Sequence, residues 1–122
     1  MNMKYSIVLP CKDEGATLAT CINKIRKVLP NSEIIVVDNN STDNSVKIAK
    51  KFNVKLIKEK KQGYGAALLS GFKEAKGDYV IMCDADNTYD LLEIPKLIKY
   101  FNYDLVIGNR LNNIKKGAMT FL

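Results

Sequence analysis

Two carboxylates, Asp84 and Asp86, stand one residue apart in "MCDADN", directly after the apolar run "DYVIM". Side chains alternate faces along an extended strand, so this spacing points both acids the same way at the strand's end. Like charges that close repel unless a cation lies between them. The chain has no histidine, which removes the Ser-His-Asp triad, the common zinc sites and the commonest general base together. A metal here is therefore held by oxygen, and a hard divalent ion, Mg²⁺ or Mn²⁺, suits such ligands. An ion of that kind keeps positions open for phosphate, so the expected second ligand set is a diphosphate.

Apolar runs alternate with helix-period segments from end to end, the pattern of an α/β fold with a mostly parallel sheet and crossover helices. "YSIVLP" reads as the first strand. "TLATCINKIRKVL" follows as a helix with Leu18, Ile22, Ile25 and Leu29 on one face, stopped by Pro30 and Asn31. "EIIVVD" is a second strand, and the polar cluster "NNSTDNS" after it can cap the helix "SVKIAKKF". "VKLIK" is a third strand. "GYGAALLSGFKEAKG" has helical spacing at Ala67, Leu68, Phe72 and Ala75. "DYVIMCD" is a fourth strand, apolar throughout and so expected to be central. Pro95 can open a short helix, and "DLVIG" makes a fifth strand before the tail "NRLNNIKKGAMTFL".

In open α/β sheets ligands bind beyond the carboxyl ends of the strands, near the point where strand order reverses. Those ends carry Pro10, Lys12, Asp13 and Glu14 after the first strand, Asp38, Asn39 and Asn40 after the second, and Asp84 and Asp86 after the fourth. Three acidic groups are expected to converge on one rim. "GYGAAL" fails the dinucleotide fingerprint because its last position is Leu68; Gly63 and Gly65 instead suit a close backbone approach to a ligand or a tight helix start. Each residue also has a structural alternative. Asp38 could cap the next helix, Asp84 and Asp86 could form a strand-end turn, and Arg110 could be a surface residue, while Asp13 and Asp43 are read as caps.

The bulk properties set outer limits. At 122 residues the chain has room for one compact domain, read as 1–122. No apolar run approaches the roughly 20 residues of a spanning helix, which reads as a cytoplasmic protein. Cys11, Cys21 and Cys83 lack metal or redox spacing and are read as reduced and structural. The net charge of +6 is compatible with an anionic partner.

The four stretches "SIVLPCKDE", "EIIVVDNNSTDNS", "GYGAALLSGFKEAKGDYVIMCDAD" and "DLVIGNR", in this order and spacing, resemble family 2 glycosyltransferases of the GT-A fold. "DADNTYD" and "IKKGAM" are most similar to the branch that works on polyprenyl or dolichyl phosphate. The resemblance spans nearly the whole chain and implies a nucleotide-sugar-binding domain, truncated on its C-terminal side. It implies that Pro10 and Glu14 shape the nucleotide pocket with Asn40, Gly63 and Gly65, and that Asp38 reads the base. It makes Asp84 and Asp86 the D-x-D pair, with Asp84 toward the ribose or sugar and Asp86 on the metal, and places Arg110 near the phosphates or acceptor. The implied reaction is transfer of a hexose from a UDP- or GDP-sugar to a polyprenyl phosphate, metal-assisted and inverting, at the cytoplasmic face of a membrane. No nucleic acid is expected as a partner. The other reading is a catalytically silent or partner-dependent nucleotide-diphosphate-binding module, with the exposed sheet edge joining a second copy or another subunit.

Overall fold

The structure is a computed structural model that describes residues 4–88 and 90–99. The chain divides into two compact units, Met1–Leu92 and Glu93–Leu122. The first holds four strands, β1 (Tyr5–Cys11), β2 (Glu33–Asp38), β3 (Lys55–Lys58) and β4 (Tyr79–Met82), with helices α1 (Gly15–Val28), α2 (Ser45–Lys51) and α3 (Tyr64–Glu74) between them. In the second unit the described element is α4 (Ile94–Ile98), with proline in its first turn as expected. The fifth strand read in "DLVIG", Arg110 and the tail lie outside the described residues.

Every strand pairing is parallel, in the order β3-β2-β1-β4. The chain steps outward from β1 to β3 and then returns to the far side of β1. Strand order therefore reverses between β1 and β4, the position where a crevice opens beyond the strand ends. Right-handed crossovers place α1 and α2 on one face of the sheet and α3 on the other. Ile7, Leu9 and Val36 on the first face are fully or almost fully buried, as are Leu18, Cys21, Ile22 and Ile25 of α1. Leu29, expected on the same helical face, falls just past the helix at its C-cap and is only half-buried.

On the opposite face Val8, Ile35 and Val37 form a core with Ala67 of α3, joined by Ile57, Leu68 and Ala75. Phe72, placed on this packing face by spacing, is 40% exposed, and Gly71 occupies the contact instead. A Cβ at Gly71 would penetrate Val8 Cγ1 and come within 3.1 Å of Val37 Cγ2. The helix can lie this close to β1 and β2 only because position 71 has no side chain. Alanine normally favours a helix over glycine by about 1 kcal/mol, but overpacking here reverses the sign. Gly71→Ala is expected to lower the unfolding free energy by about 1–3 kcal/mol, read as a lower urea midpoint with an unchanged slope.

β4 is shorter than the strand read in "DYVIMCD", and its residues alternate between half-buried and exposed. Val80 and Met82 are exposed, so the expectation of a strand covered on both faces is not met. The cause is that α3 lies over β1 and β2. At the opposite end of the sheet the Gly77 N–H donates to Ser6 Oγ (2.8 Å), which donates to Glu33 Oε1 (2.7 Å), fixing where β4 starts against β1 and β2.

Candidate functional site

The carboxyl ends of β1 and β2 are held in register by Cys11 opposite Asp38 and by the Asn39 N–H donating to the Cys11 carbonyl at 2.8 Å. Pro10 is buried beside Val37. Asp38 is 5% exposed. Its Oδ2 accepts one long bond from the Ser41 N–H (3.4 Å), and its Oδ1 is buried with no hydrogen-bond partner. Leaving a buried carboxylate oxygen without a donor is costly. Asp38 does not cap α2, whose N-cap position is Asn44; the Ser45 N–H at the start of that helix donates instead to Asp43 Oδ1 (2.9 Å), one residue before the cap. Asp43 Oδ2 also accepts from the Gly15 N–H (2.8 Å) at the start of α1.

Asp13 completes this junction from a left-handed backbone position (φ 54°). Its Oδ1 accepts from the N–H groups of Thr42 (2.6 Å) and Asp43 (3.2 Å), and its own N–H donates to Ser41 Oγ (2.9 Å). The loops after β1 and β2 are thereby tied into one unit. Glu14 belongs to it through its N–H, which donates to Ser45 Oγ (3.1 Å). Its carboxyl is pushed above the usual range by burial, then by the charges of Asp86, Asp43, Asp84 and Asp13. Glu14 thus shares a negative field with the acids beyond β4, across the place where strand order reverses.

β4 ends at Met82, and Asp84 and Asp86 follow it at its carboxyl end. The alternation nevertheless persists for a few residues: Cys83 and Ala85 are buried while Asp84 and Asp86 are partly exposed. The Cys83 N–H donates to the Val8 carbonyl (3.1 Å), and Thr17 Oγ1 donates to the Ala85 carbonyl (2.6 Å), which pins the segment from both sides. Asp84 Oδ1 accepts from the Tyr64 hydroxyl (2.9 Å). Asp86 Oδ1 accepts from the Thr88 N–H (3.0 Å) and Oγ1 (2.7 Å), closing a turn that Asn87 enters with φ 62°.

Among the described residues no group of three or more acid, cysteine or histidine side chains comes together around a possible metal position. Asp38 ends β2 and is buried beside β1, while Asp84 and Asp86 follow β4 and are partly exposed, so the rim carries acids from these strands without gathering Asp38, Asp84 and Asp86 into one cage among the described residues. A pair of partly exposed carboxylates still fits Mg²⁺ or Mn²⁺, which take one or two protein carboxylates and complete their shell with water and phosphate oxygens. The described ion pairs are Lys55–Glu74 and Lys96–Glu93. Neither neutralises the rim acids.

The three cysteines are free and buried, as their spacing suggested. Burial, with smaller contributions from Asp84 and Cys21, pushes the Cys83 thiol up to about 12. Burial also raises Cys11 and Cys21. These thiols stay protonated and are packing groups.

Gly63 opens α3 with φ 126°, and no atom lies within 4 Å of where its Cβ would be. Its requirement is conformational, a tight helix start. Gly65 lies exposed in the first turn of α3, and Asn40 holds φ 66° with its Nδ2 donating to the Lys60 carbonyl (3.0 Å). Residue-by-residue reading missed Tyr64, Thr17 and Thr88, and named Asn39 only as a residue at the end of the second strand. Tyr64, an aromatic between two glycines, was the one with a visible signal.

The family model described as "Glycosyl transferase family 2" matches residues 6–118. The chain is 36% identical over 121 residues to the low-salt glycan biosynthesis hexosyltransferase Agl6 of Haloferax volcanii, covering 93% of this chain and 29% of that protein. It is 36% identical to a dolichol-phosphate mannosyltransferase of Pyrococcus furiosus, covering 88% of this chain and 33% of that one. Thus it spans about a third of the length of these two relatives. Protein RfbJ of Shigella flexneri, at 30% identity, is covered over 89% of its length, with 92% of this chain aligned. Among solved structures, glucosyl-3-phosphoglycerate synthase of Mycobacterium tuberculosis, in complex with Mn²⁺, UDP and glucosyl-3-phosphoglycerate, superposes with a TM-score of 0.72 at 26% identity, covering 82% of this chain and 40% of the other.

Proposed function

This chain belongs to glycosyl transferase family 2, and we propose that it binds a nucleoside diphosphate sugar at the carboxyl rim of its sheet and transfers the hexose with inversion. The observation that carries this reading is the buried, partnerless Oδ1 of Asp38. A ring N–H of a nucleobase would supply the donor that the protein does not. Pro10 is buried opposite Val37, next to Asp38, with Glu14, Asn40 and Gly63 in the loops around it and Gly65 in the first turn of α3, which supports a base pocket in this junction.

Asp86, with Asp84 beside it, would hold Mg²⁺ or Mn²⁺ through the diphosphate; that ion supplies Lewis-acid stabilisation of the charge developing on the departing nucleoside diphosphate. Tyr64 and Thr88 orient the two carboxylates, and Thr17 holds the backbone between them. Arg110, outside the described residues, is assigned to the phosphates or the acceptor.

For the acceptor we favour a polyprenyl phosphate, at the cytoplasmic face of a membrane. The Pyrococcus furiosus relative is a dolichol-phosphate mannosyltransferase, and a phosphate oxygen is already ionised near neutral pH, so the attack needs no general base. That agrees with a chain lacking histidine. No helix among the described residues is long and apolar enough to cross a membrane.

Calorimetric titration of UDP-, GDP- and CDP-sugars, with and without Mn²⁺, tests the donor site. Metal-dependent saturation by one of them is expected, and no binding to a folded sample would overturn the reading. Sugar transfer to a polyprenyl phosphate, followed by chromatography of the lipid product, tests the reaction; donor binding without product would favour the silent or partner-dependent module.

A further inference from the structure

We propose that Asn39 is a positioning residue that links the base end of this site to its diphosphate end, by holding the segment Glu59–Gly63 so that Tyr64 reaches Asp84. Its consequence for binding rests on the donor-site reading above; the linkage itself rests on geometry.

Asn39 follows Asp38 and is 6% exposed. All three hydrogen-bonding positions of its side-chain amide that are used point to one segment. Nδ2 donates to the carbonyls of Glu59 (3.0 Å) and Lys61 (2.7 Å), and Oδ1 accepts from the Gly63 N–H (2.9 Å). Its own N–H is fixed on Cys11 at the end of β1. The amide therefore ties the segment after β3 to the central strands. Asn40 and Lys12 add outer contacts, Nδ2 to the Lys60 carbonyl (3.0 Å) and Nζ to Gln62 Oε1 (3.2 Å).

The next step in the chain gives this clamp its reach. Gly63, held by Asn39 at φ 126°, directly precedes Tyr64, the first residue of α3. Tyr64 donates its hydroxyl to Asp84 Oδ1 at 2.9 Å. Asn39 and Asp84 thus communicate through two consecutive residues, although 45 positions separate them in the sequence (84 minus 39). A hydroxyl donating to one oxygen fixes the rotation of the carboxylate, and with it the direction in which the other oxygen faces the ligand. Preorganised orientation of this kind matters most where charge must be met without rearrangement.

Only a primary amide of this length offers two donors and one acceptor in this arrangement. A carboxylate of the same shape would face two carbonyl oxygens with lone pairs on both sides. Asn39→Asp is therefore the informative substitution, and Asn39→Ser, which removes the clamp without adding charge, accompanies it. Tyr64→Phe, at an exposed ring, removes the hydroxyl that donates to Asp84.

Two measurements on the whole chain test the inference. Without ligand, amide hydrogen exchange and Tyr64 ring resonances are followed by NMR. Asn39→Asp and Asn39→Ser are expected to speed exchange of the Gly63 amide by about tenfold or more and to shift the Tyr64 ring as Asp84→Ala does; Tyr64→Phe should leave Gly63 exchange unchanged. With UDP or GDP and Mn²⁺, each single substitution is expected to weaken binding by about tenfold, and Asn39→Ser with Tyr64→Phe should be no weaker than Asn39→Ser alone. Unchanged Gly63 exchange, an unmoved Tyr64 ring, or additive losses would each overturn the linkage. If the parent chain binds neither nucleotide while the NMR changes appear, the donor-site reading fails and Asn39 loses its binding role, whereas the geometric linkage stands.

Discussion

Replacing Asp86 with alanine is expected to weaken Mn²⁺-dependent binding of the nucleotide sugar by roughly 100-fold or more and to leave the fold intact. The size follows from removing one of the two carboxylates that would hold the ion and, through it, the diphosphate; a 100-fold loss corresponds to about 2.8 kcal/mol. The fold survives because Asp86 is partly exposed and its internal partners are the N–H and hydroxyl of Thr88, a local turn worth about 1 kcal/mol. Asp86→Asn keeps an acceptor for Thr88 but removes the charge, and it should fail almost as completely. Calorimetry with circular dichroism as the folding control decides the matter, and an unchanged metal-dependent affinity would remove Asp86 from the metal. The same substitution should bring the Glu14 carboxyl down toward its ordinary range, because Asp86 is the foremost of the charges that raise it, after burial.

The second large effect separates affinity from stability. Asp38→Ala is expected to weaken nucleotide binding by roughly 10–100-fold, the worth of a hydrogen bond to a charged acceptor. Thermal stability should hold or rise, because the substitution removes a buried oxygen that no donor serves. Such a divergence is the signature of a group retained for a ligand at a cost to the fold. Measurement of Tm beside the Kd for the nucleotide checks it. A parallel fall in both would make Asp38 a structural residue of the junction between β1 and β2, where Cys11 is its partner in the sheet.

Much of the architecture was legible because its signals are local. "EIIVVD" predicts β2 at its observed bounds, Glu33–Asp38, and the periodic stripe of Leu18, Ile22 and Ile25 predicts the buried side of α1. The apolar run before the D-x-D pair misled on two points, the length of β4 and its cover. An all-apolar strand implies two covered faces, yet cover is supplied by other elements, and α3 lies across β1 and β2. Phe72 misled for a related reason. Helical spacing marks a hydrophobic face but not how near the sheet comes, and at Gly71 the backbone approaches too closely for any side chain.

The residues themselves determined that this is an α/β protein with acids at its strand ends and no histidine. These are matters of composition, of period and of residues spaced one or two apart. Tertiary structure alone decided the strand order that reverses between β1 and β4, the division of labour by which Asp43 accepts the N–H groups of Gly15 and Ser45 while Asp38 keeps an oxygen free of partners, and the contact of Tyr64 with Asp84. Each depends on which backbone N–H, carbonyl or hydroxyl arrives from a distant segment. Periodicity carries no record of that, because hydrogen-bond partners are chosen by where the parallel strands and their crossovers bring the loops to lie.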